Sequence, residues 1–138
     1  MTDLPKTGDV FHYPYLWAWQ DARGETEGRK ERPCCTALLI PLKNGQHRIY
    51  IFPITTKAPT DAQAAIEVPR MEVRRAGLSN DMSQWVVLDE WNREILETSY
   101  YIADTDGCGS FSRKFTDQLL DELKILLNTG KIKTVGRE

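Results

Sequence analysis

The chain has 138 residues, of which 41% are hydrophobic and 28% are charged, and its formal net charge at pH 7 is −2. This length suits one domain with a hydrophobic core and leaves no room for two full domains. The near balance of charges excludes both a uniformly basic protein that coats nucleic acid and an acidic disordered tail.

Apolar runs bounded by Gly and Pro predict that most of the chain is strand-rich. Asn44-Gly45 predicts a tight hairpin, because this pair tolerates the positive φ angles of a type I′ turn. The polar residues 18–31 predict a long loop, and Asn92 is expected to separate the last two strands. The predicted strands span residues 8–17, 32–42, 47–56, 65–69, 84–91 and 93–103.

Apolar residues at three- and four-residue spacing predict an amphipathic helix from about 112 to 128. A serine just before it can act as the N-cap, and Gly130 ends it. A loop is expected at 104–109, and residues 131–138 are expected to form a frayed tail. Because no helix separates consecutive strands, no βαβ unit is predicted. The pattern therefore predicts a mainly β (α+β) fold in one domain: a small, partly open antiparallel barrel over about 7–103, with the C-terminal helix packed on it.

The longest apolar run, residues 34–42, is far shorter than the ~18 residues that a membrane-spanning helix needs. The first residues lack the features of a signal peptide, so a cytoplasmic protein without membrane contact is expected. The three cysteines contain no Cys-x-x-Cys pair, which argues against disulfides and a thiolate metal site. The adjacent Cys34 and Cys35 are expected to be reduced and to alternate across a strand. Neither a metal nor a cofactor is predicted.

One end of the predicted hairpin brings together groups that suit a phosphate. Arg32 lies about twelve residues before the turn, and Thr55 and Thr56 lie about eleven after it, so antiparallel pairing makes them neighbours. A guanidinium beside a hydroxyl is a suitable phosphate cradle. The residues alone leave an equal alternative, in which Arg32 merely ends a strand at the surface and the threonines merely favour β structure.

Six short motifs occur in the order found in toxins of the MazF/PemK type, and the chain resembles that family over about residues 7–100. The motifs are Gly8-Asp9-Val10, Glu27 ahead of Arg32-Pro33, Pro53-Ile54-Thr55-Thr56, Ile66-Glu67-Val68-Pro69, Gly77-Leu78 and Val86-Val87-Leu88-Asp89-Glu90. The resemblance implies an SH3-like barrel, a homodimer, cleavage of single-stranded RNA without a metal, and silencing by a cognate antitoxin.

The resemblance also implies roles for individual residues. Arg32 matches the arginine that stabilises charge on the scissile phosphate, and Thr55 matches the hydroxyl residue beside it. Glu27 matches a loop carboxylate that serves in RNA binding or acid–base chemistry. Asp89 matches a family aspartate, although Val87 stands where some members place an arginine. The implied reaction is attack of a ribose 2′-hydroxyl on the adjacent phosphorus, which leaves 2′,3′-cyclic phosphate and 5′-hydroxyl ends.

Positive charge is concentrated in residues 1–78, which hold 11 Lys and Arg against 9 Asp and Glu, so RNA contacts are expected mainly there. Trp19 either stacks on splayed bases or fills the core or a dimer interface. The arginines at 70, 74 and 75 either line an RNA groove or form a solvated face. The predicted RNA-contacting residues are Trp19, Lys30, Thr56, Arg70, Arg74, Arg75 and Asp89.

Three acidic residues near the end of the predicted sheet, Glu90, Glu94 and Glu97, are expected to lie on the surface. Together with the missing arginine at Val87, the acidic balance of the second half leaves an alternative function open. In that alternative, the protein is a non-catalytic PemK-like domain that binds nucleic acid or a protein partner.

Overall fold

The computed structural model describes residues 4–79, 81–102 and 109–138. Within these residues lie seven strands, three α-helices and one short 3₁₀ turn at Leu96–Thr98. The strands are β1 (Val10–Tyr13), β2 (Arg32–Pro41), β3 (His47–Thr55), β4 (Ala65–Glu67), β5 (Trp85–Val87), β6 (Glu90–Ile95) and β7 (Lys133–Gly136). The helices are α1 (Ala18–Ala22), α2 (Arg70–Arg75) and α3 (Arg113–Thr129).

The predicted hairpin is confirmed as the pair β2 and β3, in which Cys34 lies opposite Pro53. The expected type I′ turn is wrong, because Gly45 has a φ of 85° but Asn44 does not have a positive φ. The Leu42 N–H donates to the Gln46 carbonyl, which closes a three-residue loop with one left-handed position. A bulge between Thr36 and Leu38 shifts the register and bends the long strands.

The sheet is mainly antiparallel, as predicted, but it branches at β3. One edge of β3 pairs with β2, while the other pairs first with β6 and then with β5. Outward from these, β1 pairs with β2, and β4 pairs with β5. Among the described residues no strand pairing joins β1 to β4 or β7, so the pairings do not close the sheet into a barrel.

The C-terminal segment is not a frayed tail, so that prediction is wrong. Strand β7 pairs in parallel with β6, with Thr134 opposite Trp91, and Val135 is buried. Helix α3 lies between these two parallel strands in the chain, so β6, α3 and β7 form a βαβ unit. The prediction that the chain has no such unit is therefore wrong. The sequence hardly marks β7, since Val135 is its only buried residue.

Other departures concern short elements. Helix α1 lies inside the segment predicted as a loop, and α2 occupies residues for which only a turn was expected. The break between the last two predicted strands falls at residues 88–89 rather than at Asn92, which is buried within β6. The predicted strand 93–103 is wrong beyond Ile95, where β6 ends and a 3₁₀ turn follows at Leu96–Thr98. Nearly all of the predicted loop 104–109 lies outside the described residues, as does Cys108.

Helix α3 is confirmed within one residue at each end. The Ser112 hydroxyl accepts a hydrogen bond from the Phe115 N–H at 3.2 Å, and Gly130 ends the helix at a φ of 67°. Its apolar face is buried in the larger of two core clusters, which fills one side of the sheet. No helix in the described part of the chain is both long and apolar enough to cross a bilayer.

The second core cluster lies on the opposite side of the sheet. Alternation along β1 and β2 separates the two, because Val10 and Cys35 belong to the larger cluster while Phe11 and Cys34 belong to the smaller one. Both cysteines are buried free thiols, and their places in different clusters confirm that they alternate across the strand. The smaller cluster extends to Tyr15 and Trp17, in the segment that leads toward the site described next.

Candidate functional site

A cleft of about 520 Å³ lies where β2 begins and β3 ends. Five of the residues predicted from sequence line it together: Trp19, Lys30, Arg32, Thr55 and Thr56. Seven further lining residues are outside the predicted RNA-contacting set: Trp17, Lys57, Pro59, Thr60, Gln63, Val87 and Glu90. The hairpin thus brings the predicted guanidinium and hydroxyl groups to one opening, with lysines and tryptophans around them.

Arg32 and Thr55 reach the cleft because of the hairpin register. Cys34 lies opposite Pro53, and continuing this antiparallel register by two residues puts Arg32 opposite Thr55. The Thr55 hydroxyl accepts a hydrogen bond of 3.1 Å from the Lys57 N–H, so its own hydrogen is free to point toward a ligand. The arithmetic of the turn therefore predicted this pair correctly.

The Arg32 guanidinium is half-buried and lies 5.0 Å from the centre of the Trp17 ring. Its Nε is buried and has no hydrogen-bond partner in the described structure. A buried donor on a charged group is costly to leave unpaired, so this arginine is poised to donate to an acceptor. Stacking on Trp17 holds the guanidinium plane in place and leaves its edge for an anion.

Trp19 is 48% exposed, so the alternative in which it fills the core is wrong. The guanidinium groups of Arg29 and Arg23 lie 4.8 and 5.7 Å from the centre of its ring. Trp17 packs edge-to-face against Tyr15 at 5.1 Å and is half-buried. The cleft wall therefore combines a fixed indole with a more exposed one.

The surface position expected for Glu90 and Glu94 is wrong. Glu94 is 1% exposed and accepts a 2.5 Å hydrogen bond from the Tyr13 hydroxyl. Glu90 is half-buried in the cleft, and its Oε1 accepts from the Ala18 N–H at 2.9 Å and the Tyr15 hydroxyl at 3.1 Å. Desolvation by burial is the main cause that raises the pKa of both carboxyls.

A signal for this arrangement exists in the sequence. Glu90, Asn92 and Glu94 alternate along one strand, which puts them on one face of the sheet. That face is covered by the segment after β1, since Asn92 Oδ1 accepts from the Leu16 N–H at 2.9 Å and its Nδ2 donates to the Leu16 carbonyl at 2.7 Å. Alternation alone does not reveal this cover. Glu97, in contrast, is exposed as expected.

Two predicted carboxylates lie outside the cleft. Glu27 is exposed and does not line the cleft. The Asp89 carboxylate accepts a 3.2 Å hydrogen bond from the Ala64 N–H and lines a neighbouring cavity of about 770 Å³. Neither side chain is therefore next to the Arg32 and Thr55 pair.

The three predicted arginines also lie elsewhere. Arg70, Arg74 and Arg75 are exposed on α2 and do not line the cleft. Arg70 borders a separate cavity of about 290 Å³, and the Arg75 Nε is 3.8 Å from Glu72 Oε1. The positive charge at the cleft comes from Arg32 and two lysines instead.

Metal binding and catalysis by a cysteine nucleophile find little support in the described residues. Within the described residues, no group of three or more His, Cys, Asp or Glu side chains is placed to hold a metal ion. Burial raises the pKa of Cys35 to about 12 and that of Cys34 still higher, so neither thiol is suited to act as a nucleophile.

Comparison of the chain with protein-family models, curated proteins and solved structures gives no match. The chemistry of the cleft must therefore be inferred from its own residues.

Proposed function

We propose that this protein is a metal-independent endoribonuclease of the PemK type that cleaves single-stranded RNA in the cleft around Arg32. The observation that carries this proposal is that Arg32 and Thr55, at the ends of two adjacent strands, line the same cleft. The same cleft holds two lysines for neighbouring phosphates and two indoles for bases.

Each cleft group has a role in this reaction. The 2′-oxygen attacks the adjacent phosphorus, and the developing negative charge is neutralised by Arg32 and by a hydrogen bond from the Thr55 hydroxyl. Lys30 and Lys57 attract the flanking phosphates, and Trp19 stacks on an unpaired base. The products carry 2′,3′-cyclic phosphate and 5′-hydroxyl ends.

The resemblance to PemK-type toxins supports the remaining parts of the proposal. The open sheet is a variant of the SH3-like barrel, the protein acts as a homodimer in the cytoplasm, and a cognate antitoxin silences it. Light scattering tests the dimer, because a mass equal to that of one chain at micromolar concentration contradicts it.

A second candidate function is RNA or protein binding without cleavage. Val87, which is 2% exposed, presents an apolar side chain at the cleft where some PemK-type proteins have an arginine. A valine cannot donate a proton or neutralise charge, so this wall of the cleft favours binding alone unless another residue supplies the chemistry.

The two functions are separated by incubating a long single-stranded RNA with the protein in EDTA. Wild type should cleave it, and Arg32→Ala should cleave about 10²–10³-fold more slowly, because a donor to the charged transition state is lost. Arg113→Ala, which removes an exposed arginine at the start of α3, is the matched control and should cleave like wild type. Intact RNA bound by the wild type supports the second candidate, and equal cleavage by Arg32→Ala contradicts the first.

A further inference from the structure

Glu90 is the only Asp, Glu or His side chain among the described residues that line the cleft. It belongs to the start of β6, whereas Arg32 and Thr55 belong to the hairpin of β2 and β3, whose strand β3 pairs with β6. Within the described residues, its Oε1 accepts hydrogen bonds from the Ala18 N–H and the Tyr15 hydroxyl, so Oε2 is left for other partners. The cleft thus contains one carboxylate that can take up a proton.

We propose that Glu90 is the general base of the cleft and removes the proton from the attacking ribose 2′-hydroxyl. This inference rests on the proposed ribonuclease function and assigns the proton transfer to a residue other than Asp89 or Glu27. The 2′-O–H bond breaks and the proton moves to Oε2. The 2′-oxygen then bonds to phosphorus, and the phosphorus–5′-oxygen bond breaks. The leaving 5′-oxygen takes a proton from water, and Glu90 later releases its own proton to solvent.

The surroundings of Glu90 suit a base. Desolvation is the main cause that raises its pKa and the neighbouring Asp89 adds to it, while the hydrogen bonds from Ala18 and Tyr15 and the charge of Lys133 on β7 lower it. A general base works best when its pKa approaches the operating pH, so a raised carboxyl pKa increases its basicity.

The other charged groups that line the cleft among the described residues are all positive. Arg32, Lys30 and Lys57 line the cleft with Glu90 and attract the phosphates of an RNA strand toward it. Asp89 lines the neighbouring cavity, which Glu90 also borders, but not the cleft, and its carboxylate accepts from the Ala64 N–H; Glu27 also lies outside the cleft. Neither is placed to take the proton from a ribose held between Arg32 and Thr55.

Glu90 also has a structural role, since its Oε1 accepts a hydrogen bond from Ala18 at the start of α1. Loss of activity in a variant could therefore come from lost catalysis or from a disturbed α1. Glu90→Gln separates the two roles, since the amide oxygen still accepts from Ala18 and Tyr15 but the group no longer titrates. The control Glu97→Gln removes an exposed carboxylate outside the cleft.

The experiment measures single-turnover cleavage of a short RNA from pH 4 to 9. For wild type, the rate should rise with pH through the raised pKa of Glu90 and then level off. Glu90→Gln should be about 10²–10⁴-fold slower and should lose this rise. It should still bind a 2′-deoxy analogue of the RNA, which cannot be cleaved, at least as tightly as wild type. Glu97→Gln should match wild type in rate and in profile.

The possible failures are distinct. Wild type that cleaves no RNA at any pH overturns the ribonuclease function itself. If wild type cleaves RNA and Glu90→Gln cleaves it with the same rate and pH profile, only the role of Glu90 is overturned. If Glu90→Gln does not fold by circular dichroism, Glu90→Ala is assayed with added formate. Rescue of cleavage by formate supports the base, and a folded but unrescued variant contradicts it.

Discussion

Arg137 donates a 2.7 Å hydrogen bond from Nη1 to the carbonyl of Pro14, which lies 123 positions earlier in the chain. Its Nη2 donates to the Thr26 carbonyl at 3.1 Å, and its guanidinium lies 3.8 Å from the centre of the Tyr101 ring. The residue directly after β7 therefore holds the segment between β1 and β2 at two points. This segment carries Trp19 and leads into Lys30, so Arg137 helps to position one wall of the cleft.

Replacing Arg137 should lower stability measurably. In Arg137→Met the carbonyls of Pro14 and Thr26 lose their donor and the contact with Tyr101 loses its charge, so we expect a loss of about 1–3 kcal/mol in the free energy of unfolding. Urea denaturation measures it. Arg113→Met is the control and should stay within about 0.5 kcal/mol of wild type. Equal stability of the two variants would show that the Arg137 contacts contribute nothing net.

Gly28 should be far less tolerant of alanine than Gly24. Both have positive φ, 71° and 87°, so both substitutions carry the same kind of backbone strain. A Cβ on Gly28 would lie 2.4 Å from the Pro14 carbonyl oxygen, whereas a Cβ on Gly24 meets no atom within 4 Å. Thermal unfolding should show a larger loss for Gly28→Ala, by at least about 1 kcal/mol. Similar losses for the two variants would contradict close packing of residue 28 on Pro14.

Glu94 should make the protein less stable as the pH rises. Because desolvation raises its pKa in the folded state, the folded protein binds more protons than the unfolded chain between the ordinary and the raised pKa. Stability from the protonated carboxyl is therefore complete below the ordinary pKa of about 4.5 and is lost as the pH rises through the raised value. Glu94→Gln should reduce this fall, which urea denaturation from pH 4 to 7.5 measures.

Two controls sharpen the pH measurement. Burial raises the pKa of Glu90 as well. In Glu94→Gln the loss of stability with rising pH should therefore become smaller but should not disappear. Glu97 has the opposite sign: desolvation acts to raise its pKa, but hydrogen bonds from His47 lower it overall. Its contribution therefore grows with pH, and Glu97→Gln should make the fall steeper. A Glu94→Gln variant with the wild-type slope would rule out the titration of this carboxyl as the cause.

The two cleft lysines should account for part of the salt dependence of RNA binding. Each phosphate contact contributes about 0.7 to the slope of log affinity against log salt for a single strand. Lys30→Ala and Lys57→Ala should each lower the slope by about this amount, as measured with an uncleavable oligonucleotide. Lys114→Ala, on the exposed side of α3, should leave it unchanged.

The same titration tests the path of the RNA. If replacing Arg70, Arg74 and Arg75 together lowers the slope more than replacing both lysines, the strand crosses α2 rather than the cleft. The structure predicts the reverse order, because all three arginines lie outside the cleft.

Local chemistry explains what could be predicted from sequence. The run at 32–42, the Asn-Gly turn and the spacing of apolar residues before Gly130 each specify an element through interactions within a few residues. The proximity of Arg32 to Thr55 also follows from sequence. The lengths of two strands around one turn determine which residues lie opposite each other.

The sequence by itself thus determined the hairpin, helix α3 and the Arg32 and Thr55 end of the cleft. Only the tertiary structure decided the rest, because the partners are far apart in the chain. Tyr13 meets Glu94 across 81 positions, Ala18 meets Glu90 across 72, and Arg137 meets Pro14 across 123. Alternation in β6 identifies a shared face for Glu90 and Glu94, but it cannot show that the segment after β1 folds over that face. Tyr13 at the end of β1 contacts the buried Glu94, and the segment after β1 contacts Glu90, which is the carboxylate that lines the cleft.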